Sequence, residues 1–285
     1  MQQNDPEMAG PAINSTKIDM ISSSGIRFLS PLGNVDQIDF SDLADWAFFF
    51  DLDGTLLDIA SLPDAVAPEE GLQAALEALE QRCAGALAIV TGRSVEFVDQ
   101  LFPTHRFSVA GLHGAQIRLA AGKGGLDDGS AITVSEDFRQ ALEFARRAAS
   151  SLAGVIFEDK GGAFALHYRL APDREAEVRL VMEKAHDLAG RGFSLQPGKF
   201  VVELKPSGSD KGAAIHAFMR MEPFNGRRPF ATGDDDTDER MFAVANKMGG
   251  LSLRVGTLQD AAQSAAVAQI ASPQILRRWI RRLTE

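Results

Sequence analysis

Short apolar runs alternate with helix-period segments along most of the chain. The runs have the length of buried strands, and the segments between them carry apolar residues three or four positions apart, as an amphipathic helix does. The strand-like runs are 47–50, 86–90, 107–110, 229–232 and 251–255, and the helix-like segments are 69–82, 94–101, 210–221 and 237–247. Strand–helix–strand repetition predicts an α/β fold with a Rossmann-like, doubly wound parallel sheet and helices on both faces.

One interval departs from this alternation. Between residues 127 and 205 the order becomes helix (136–150), two strands, helix (173–189) and two more strands. That order is typical of a small antiparallel sheet that carries two helices. We therefore predict an α+β cap domain at 127–205, inserted into a larger α/β core.

The remaining segments complete the predicted domain organisation. The catalytic core comprises residues 45–126 and 206–285, with hinges in the glycine-rich segment 122–129 and in 206–209. Residues 1–44 are polar, are broken by prolines and glycines, and have no sustained period. They predict an N-terminal tail or loosely packed arm.

The composition is that of a globular protein with an acidic surface. Hydrophobic residues make up 45% of the 285 positions, and the formal net charge is -10. A net negative surface repels nucleic-acid phosphates and anionic lipids, so no nucleic-acid or membrane partner is expected. An anionic substrate would instead have to meet a metal ion or a few well-placed cations.

Cysteine content and hydropathy bear on the cellular compartment. Cys83 is the single cysteine, which excludes an intramolecular disulfide and predicts a packed, unreactive thiol. No run approaches the roughly 18 apolar residues of a membrane span, and the first residues lack the basic-then-apolar order of a secretion signal. We expect a cytoplasmic protein that is a monomer or a weak homo-oligomer.

The stretch 47–59 (AFFFDLDGTLLDI) places two carboxylates directly after an apolar strand. Asp51 and Asp53 point the same way in an extended chain, and doubly wound sheets bind ligands at the carboxyl ends of their strands. One carboxylate can attack a phosphoryl group as a nucleophile, while the other serves as general acid and base. Gly54 permits a close turn, and Thr55 offers a hydroxyl to a phosphate. A surface turn with acidic caps is the alternative interpretation.

Polar side chains also occur at the other strand ends. Thr91 and Arg93 follow the second strand, and Lys211 opens the helix after the cap, so a hydroxyl, a guanidinium and an ammonium are available to a phosphate. After the fourth strand come Asp234, Asp235, Asp236 and Asp238. Acids so close together repel one another unless a cation is present, and oxygen ligands beside a phosphate favour Mg²⁺. An acidic helix N-terminus is the alternative.

These motifs resemble those of the haloacid dehalogenase (HAD) superfamily of phosphatases, in the same order at successive strand ends from Asp51 to Asp238. The resemblance implies a HAD-like core. It implies that Asp51 is the nucleophile and Asp53 the general acid and base. It also implies that Thr91 and Lys211 bind the phosphate.

The same resemblance implies Mg²⁺ as the cofactor. The metal would be held by the carboxylates of Asp51 and Asp234 and by the backbone carbonyl of Asp53. Asp235 and Asp238 would contribute through water.

A narrower resemblance lies in the segments GLHGAQIR, EDKGGAFALHYR, GKFVVELKPSGSDKG and GDDDTDERMF. They are similar to the trehalose-6-phosphate phosphatase family. In that family, cap residues grip the disaccharide, which implies Glu158, Lys160, Lys199 and Glu203 here. Charged groups of this kind can bond sugar hydroxyls. From the residues alone, a solvated face of the cap strands is the alternative.

Further residues are candidates for the substrate pocket. His113 lies near the end of the third strand and can line the pocket, with a half-buried, fully bonded histidine as the alternative. Arg169 and Thr55 are assigned to substrate binding. Arg93 is interpreted as a positioning residue for the substrate, or else as a member of a surface ion pair. The pattern assigns His167 to packing.

The resemblance implies a Mg²⁺-dependent enzyme that converts trehalose 6-phosphate to trehalose and phosphate through an aspartyl-phosphate, as the last step of trehalose biosynthesis. Its partner would be a small phosphosugar. One alternative is another sugar phosphatase or a phosphomutase of the superfamily, for example a sucrose-phosphate phosphatase. A second alternative is a sugar-phosphate sensor without catalysis, although every catalytic position is occupied.

Overall fold

The computed structural model of the chain describes residues 26–28, 40–59, 66–120, 135–257 and 264–285. The strands in these residues are Ile26–Phe28 (β1), Trp46–Phe50 (β2), Leu87–Val90 (β3), Ser108–Gly111 (β4), Gln116–Arg118 (β5), Ile156–Asp159 (β6), Phe164–His167 (β7), Phe193–Gly198 (β8), Val201–Pro206 (β9), Arg228–Gly233 (β10), Leu251–Val255 (β11) and Ala268–Ile270 (β12). The α-helices are Leu72–Arg82 (α1), Val95–Leu101 (α2), Glu136–Ser150 (α3), Glu175–Ala189 (α4), Lys211–Phe218 (α5), Glu239–Lys247 (α6) and Pro273–Thr284 (α7). None of these helices has the length and apolar character needed to span a lipid bilayer.

The main sheet has the strand order β1-β12-β11-β10-β2-β3-β4-β5. The inner strands, from β12 to β4, are parallel to one another, and β1 and β5 pair antiparallel at the edges. The chain runs outward from β2 through β3 and β4, and later returns to β10 on the other side of β2. The order reverses between β2 and β10, which is where such sheets open a crevice beyond their carboxyl ends. The predicted doubly wound α/β fold is confirmed.

β2 is buried on both faces, which explains why its sequence WAFFF is apolar at every position. Phe48 and Phe50 lie in the apolar layer formed with α1 and α7. Phe49 lies in the opposite layer, with Phe218 of α5 and Phe242 of α6. Helices on both faces therefore fix the position of the carboxyl end of β2.

Polar N-cap residues determine where several helices begin. Side chains of Ser94, Ser135, Asp210 and Ser272 accept backbone N–H bonds in the first turns of α2, α3, α5 and α7. The Asp210 carboxylate accepts from the N–H of Ala213 at 2.8 Å. This cap places Lys211 in the first turn of α5, beside the crevice.

Residues 136–206 form a separate four-stranded sheet with two helices, which we call the inserted unit. Its strand order is β6-β7-β9-β8, antiparallel throughout. α3 and α4 cover one face, where Phe138 is fully buried. Along β9, Val202 and Leu204 belong to this apolar layer, so Glu203 between them points to the opposite face. The inserted unit therefore has one apolar and one polar face.

The inserted unit overlaps the range 127–205 that the sequence predicts for a cap. The first predicted hinge, 122–129, lies outside the described residues. The second, 206–209, lies between β9 and α5.

The periodic pattern does not predict β1, β5, β12 or α7. The three strands have three residues each, too few for a period to appear. β1 lies within the segment 1–44, for which only a tail or arm is expected, and Ile26 pairs with Ile270 of β12. α7 is amphipathic, with Trp279 and Ile280 buried in the core between arginines.

Candidate active site

The carboxyl ends of β2, β3 and β10 bring the predicted catalytic residues together. Asp51 follows β2, Thr91 follows β3, Asp234 follows β10, and Lys211 enters from α5. Nζ of Lys211 donates to Oδ1 of Asp51 at 2.7 Å. The Thr55 hydroxyl lies 3.4 Å from an oxygen of Asp51 and 3.4 Å from an oxygen of Asp234. Residues far apart in the sequence therefore surround one point at the switch in strand order.

Asp51, Asp234 and Asp238 form a compact acidic group, in which one oxygen of each lies within 4.8 Å of the others. Burial raises the pKa of Asp51 to about 7, against the attraction of Lys211 and with a contribution from Asp234. Burial also raises the pKa of Asp234 to about 7, and the charges of Asp238 and Asp235 add to this effect. Carboxylates that resist ionisation in this way are suited to a divalent cation, which would favour their charged form.

Two glycines allow these carboxylates to pack directly against the backbone. Gly54 has a φ of +79°, in the left-handed region that favours glycine. A Cβ atom at this position would overlap the carboxylate of Asp234. A Cβ atom at Gly233 would overlap Asp238. The glycines in DLDG and ATGD are therefore required by the packing of the acidic group.

Asp238 is fully buried, and both of its carboxylate oxygens are bonded to protein. Oδ1 accepts from Nζ of Lys211 at 2.7 Å. Oδ2 accepts from the backbone N–H of Asp234 at 2.9 Å and of Asp235 at 3.1 Å. Burial disfavours the charged form of Lys211, but Asp238 and Asp51 outweigh it and raise the pKa of the ammonium. Asp238 thus fixes both the lysine and the loop that follows β10.

Asp53 is held by a fork of hydrogen bonds from Arg93. Nε of Arg93 donates to Oδ2 at 2.8 Å, and Nη2 donates to Oδ1 at 3.0 Å. Nη1 donates to Oε1 of Glu158 on β6 at 2.7 Å. The guanidinium also lies over the ring of Phe97, 4.5 Å from its centroid. One side chain therefore joins Asp53 to the inserted unit.

The polar face of the inserted unit carries buried charges above the crevice. Lys160 donates to Oε2 of Glu203 at 2.5 Å, and Nε2 of His167 lies 2.8 Å from Oε2 of Glu158. Burial opposes ionisation of Glu203, but Lys160 and His113 outweigh it and hold its pKa well below the usual range. Burial likewise opposes ionisation of Glu158, and its basic neighbours, led by His167 and Lys160, lower its pKa. Both glutamates are therefore carboxylates and acceptors at neutral pH.

His113 reaches this network from the main sheet. Leu112 and His113 have φ values of +49° and +55°, which are strained for residues other than glycine. Their backbone N–H groups donate to the carbonyls of Arg93 and Thr91, both at 2.9 Å. Nε2 of His113 lies 3.3 Å from Oε1 of Glu203, and neither atom has a well-directed hydrogen bond within the described chain. Burial lowers the pKa of His113, so a neutral imidazole faces the carboxylate.

A cavity of about 330 Å³ lies between the crevice and the inserted unit. Most of the predicted site residues line it: Asp51, Asp53, Thr91, Arg93, His113, Lys160, Arg169, Lys199, Glu203, Lys211, Asp234 and Asp235. The main sheet supplies the carboxylates that the sequence predicts to be catalytic, and the inserted unit supplies charged groups opposite them. A small molecule in this cavity would meet both sets at once.

Some predicted residues occupy less central positions. Arg169 and Lys199 are exposed where they line the cavity. Asp235 accepts from N and Oγ1 of Thr237, at 2.8 and 2.6 Å, so its carboxylate caps the turn after β10. Asp235 is also outside the compact acidic group.

Three polar residues of the cavity lining, His167, Gln196 and Thr237, were not predicted. His167, assigned to packing from its pattern, instead bonds Glu158 and lines the cavity. The strand period carries the signal, because His167 shares a face of β7 with Ala165, which lies opposite both Glu158 and Glu203. Gln196 of β8 also lines the cavity. It lies opposite Glu203, and only the register of β8 against β9 reveals this.

Comparison with known proteins relates this geometry to a family. The family model described as Trehalose-phosphatase matches residues 49–273. The chain is similar to the probable trehalose-phosphate phosphatase of Sinorhizobium fredii (strain NBRC 101917 / NGR234), with 46% identity over 255 residues that cover 89% of this chain and 90% of that protein. It is also similar to the trehalose-6-phosphate phosphatase of Escherichia coli (strain K12), with 42% identity over 217 residues, or 75% and 79% of the two chains.

A solved structure shows the same fold. The C-terminal domain of the C. albicans trehalose-6-phosphate phosphatase matches with a TM-score of 0.72 and 20% identity, over 90% of this chain and 99% of that one. The residues that match the family model include the whole acidic group and the inserted unit. The chain therefore belongs to the trehalose-phosphatase family.

Proposed function

We propose that the protein hydrolyses trehalose 6-phosphate to trehalose and inorganic phosphate, with Mg²⁺ and through an aspartyl-phosphate at Asp51, as the last step of trehalose biosynthesis. The names of its relatives support this substrate. The observation that carries the chemistry is the buried Asp51 carboxylate, which bonds Lys211 at 2.7 Å and lies beside Asp234 in a cavity.

The acidic group fits a magnesium ion. Mg²⁺ prefers oxygen ligands and keeps several waters, and the pKa values of Asp51 and Asp234, raised to about 7, are those of carboxylates that a dication would help to ionise. These two carboxylates and the backbone carbonyl of Asp53 would hold the ion, with Asp235 beside its waters. When bound, Mg²⁺ neutralises the charge of the phosphoryl oxygens.

Two half-reactions follow from the arrangement of the carboxyl groups. In the first, Asp51 attacks phosphorus, the bond between phosphorus and the sugar oxygen breaks, and Asp53 gives its proton to that oxygen. In the second, water attacks phosphorus, Asp53 takes a proton from the water, and the bond from phosphorus to Asp51 breaks. Lys211 and Thr91 hold the phosphate oxygens during both steps.

The inserted unit would act as the cap that recognises the sugar. Glu158 and Glu203 accept hydrogen bonds from sugar hydroxyls, and Lys160 and His113 donate to them. A site built from such groups rejects sugars that lack the matching hydroxyls, because its buried polar atoms are then left unpaired. The exposed Lys199 and Arg169, with Gln196, would contact the outer part of the disaccharide. Closure of this unit over the crevice would exclude bulk water.

Phosphate release from three substrates tests this proposal. Purified protein is given trehalose 6-phosphate, sucrose 6-phosphate or glucose 6-phosphate, each with Mg²⁺ and with a chelator. We expect kcat/KM for trehalose 6-phosphate to exceed the other two by about 10²-fold or more, and the chelator to abolish turnover. Asp51→Asn protein, prepared identically, reveals any contaminating phosphatase.

The other outcomes identify the rival functions. Equal turnover of all three substrates would indicate a less specific sugar phosphatase. Tight binding of trehalose 6-phosphate without hydrolysis by the unmodified protein would indicate a sensor. Cytoplasmic location and a monomeric or weakly associated state stay predictions.

A further inference from the structure

Arg93 joins the main sheet to the inserted unit at the edge of the cavity. Among the described residues, the ion pairs between these two parts are Arg93 with Glu158 and His113 with Glu203. The pKa of His113 is lowered by burial, so the second contact involves a neutral ring. Arg93 with Glu158 is therefore the contact between two full charges, and its side chains are only 12% and 11% exposed.

The same guanidinium determines the orientation of Asp53. The Asp53 side chain is 35% exposed, and its described hydrogen-bond partner is Arg93. A carboxyl group that must face the leaving oxygen in one step and a water in the next works only when its plane is fixed. A guanidinium can fix it, because its N–H groups form a planar fork, whereas an ammonium can only supply charge.

We propose that Arg93 is a positioning residue that couples the seating of the inserted unit to the orientation of Asp53. Glu158 holds Nη1, and the opposite edge of the guanidinium then lies against Asp53. When Asp53 carries its proton, one oxygen still accepts from Arg93 and the O–H group faces the cavity. In the first half-reaction this proton passes to the leaving oxygen as its bond to phosphorus breaks, and Arg93 exchanges no proton.

This inference rests on the proposed function for the roles of Asp51 and Asp53, and it gives Glu158 a second role. Besides accepting from a sugar hydroxyl, Glu158 would act on Asp53 through Arg93 even when the substrate has no sugar. That difference can be measured.

Aryl phosphates separate the two roles, because they carry no sugar hydroxyls. Phenol has a pKa of about 10, like the tyrosine side chain, so its departure needs a proton, whereas p-nitrophenolate leaves readily without one. We measure kcat/KM, which reports the step in which the leaving group departs. Arg93→Lys, which keeps the charge and loses the fork, should lower the value for phenyl phosphate by about 10²-fold and that for p-nitrophenyl phosphate by no more than about threefold.

Glu158→Gln should show the same selectivity with a smaller effect: kcat/KM for phenyl phosphate should fall about tenfold. For phenyl phosphate, kcat/KM of the double variant should be no lower than that of Arg93→Lys alone, because both changes break the same chain of contacts. Thermal unfolding of each variant shows whether it is folded.

Arg146→Lys is the matched control. Arg146 also pairs with an acid, Asp159 at 2.9 Å, and also lies over a ring, that of Phe157 at 4.7 Å. It lies within the inserted unit and is not part of the cavity lining. Replacing Arg146 by lysine should leave kcat/KM for both aryl phosphates unchanged.

Several outcomes would overturn the inference. One is an equal loss of kcat/KM for the two aryl phosphates in Arg93→Lys. Another is a Glu158→Gln protein whose kcat/KM falls for trehalose 6-phosphate but for neither aryl phosphate. A lack of aryl phosphate turnover by the unmodified protein would also count against it, since Asp53 is held here by protein contacts alone. Failure of the proposed function looks different: trehalose 6-phosphate is not hydrolysed, while the aryl phosphates still show the predicted selectivity.

Discussion

At the scale of single residues, Lys211 holds two buried carboxylates together. Its side chain is 3% exposed and lies 2.7 Å from both Asp51 and Asp238. Replacement by methionine would leave two acids buried without their counter-ion, which typically costs 3–5 kcal/mol, so we expect Lys211→Met to lose about that much free energy of unfolding. Denaturant unfolding of the purified variant measures the loss.

A second substitution checks this explanation. Asp51→Asn removes one of the two acids, so the double variant Lys211→Met/Asp51→Asn should recover part of the stability that Lys211→Met loses. Equal stability of the single and double variants would show that the loss comes from side-chain packing.

Gly54 gives a prediction about metal binding. Gly54→Ala would strain a left-handed position and push against Asp234, so we expect weaker Mg²⁺ binding and at least about tenfold lower activity. Gly71→Ala is the control, because Gly71 has a φ of +78° with open space around it. Both variants should lose about 1–2 kcal/mol of stability from backbone strain. Metal titration followed by calorimetry should show weaker binding in Gly54→Ala alone.

At the scale of elements, the proposed function assigns phosphate binding to the main sheet and sugar binding to the inserted unit. Phe138 anchors α3 on the inserted sheet, with its ring 5.5 Å from that of Phe164 and 4.8 Å from that of Phe193. Phe138→Ala should destabilise this unit by about 3–5 kcal/mol. Turnover of trehalose 6-phosphate should fall sharply. Turnover of p-nitrophenyl phosphate, which needs few contacts from the inserted unit, should be largely retained.

Leu180→Ala is the control for this prediction. Leu180 is on α4 in the same unit but is 59% exposed, so its truncation should change neither activity. An equal loss of turnover for both substrates in Phe138→Ala would show that the phosphate site depends on the inserted unit as much as the sugar site does.

The sequence predicts most elements because their patterns reflect burial. β2 is apolar at every position because both faces of the inner sheet are covered, and β11 is buried along its whole length although it carries Ser252 and Arg254. α3 begins and ends where its amphipathic pattern does, after the cap residue Ser135. β1 and β12 escape prediction because three residues show no period, and their pairing joins segments far apart in the sequence.

The site is predictable where chemistry follows a strand end, and less so where it depends on register. Asp51 and Asp234 are found because parallel strands end at one edge of the sheet. His167 and Gln196 are missed because their roles follow from how β7, β8 and β9 align. The fork from Arg93 to Asp53 depends on a side-chain conformation, which no sequence pattern shows.

At the scale of the whole molecule, metal binding should be linked to pH. The pKa values of Asp51 and Asp234 are raised to about 7, so both are largely protonated below that pH and ionised above it. Mg²⁺ must displace these protons, and its affinity should therefore rise with pH up to about 7 and then level off. We expect release of about two protons per ion at pH 6 and close to none at pH 8.

Calorimetry in buffers of different ionisation enthalpy counts the released protons. Asp51→Asn should release about one proton fewer at pH 6. Proton release that does not change between pH 6 and pH 8 would contradict the prediction.

Asp238 supports both Lys211 and the backbone that carries Asp234. One of its oxygens steadies the ammonium of Lys211, and the other steadies the backbone that carries Asp234. A shift of the loop after β10 would therefore pull on α5 as well. If Lys211 binds phosphate and Asp234 binds the metal, as proposed, a substitution of Asp238 should change both affinities together. Variation that changes only one of them would then have to arise at other residues of the cavity lining.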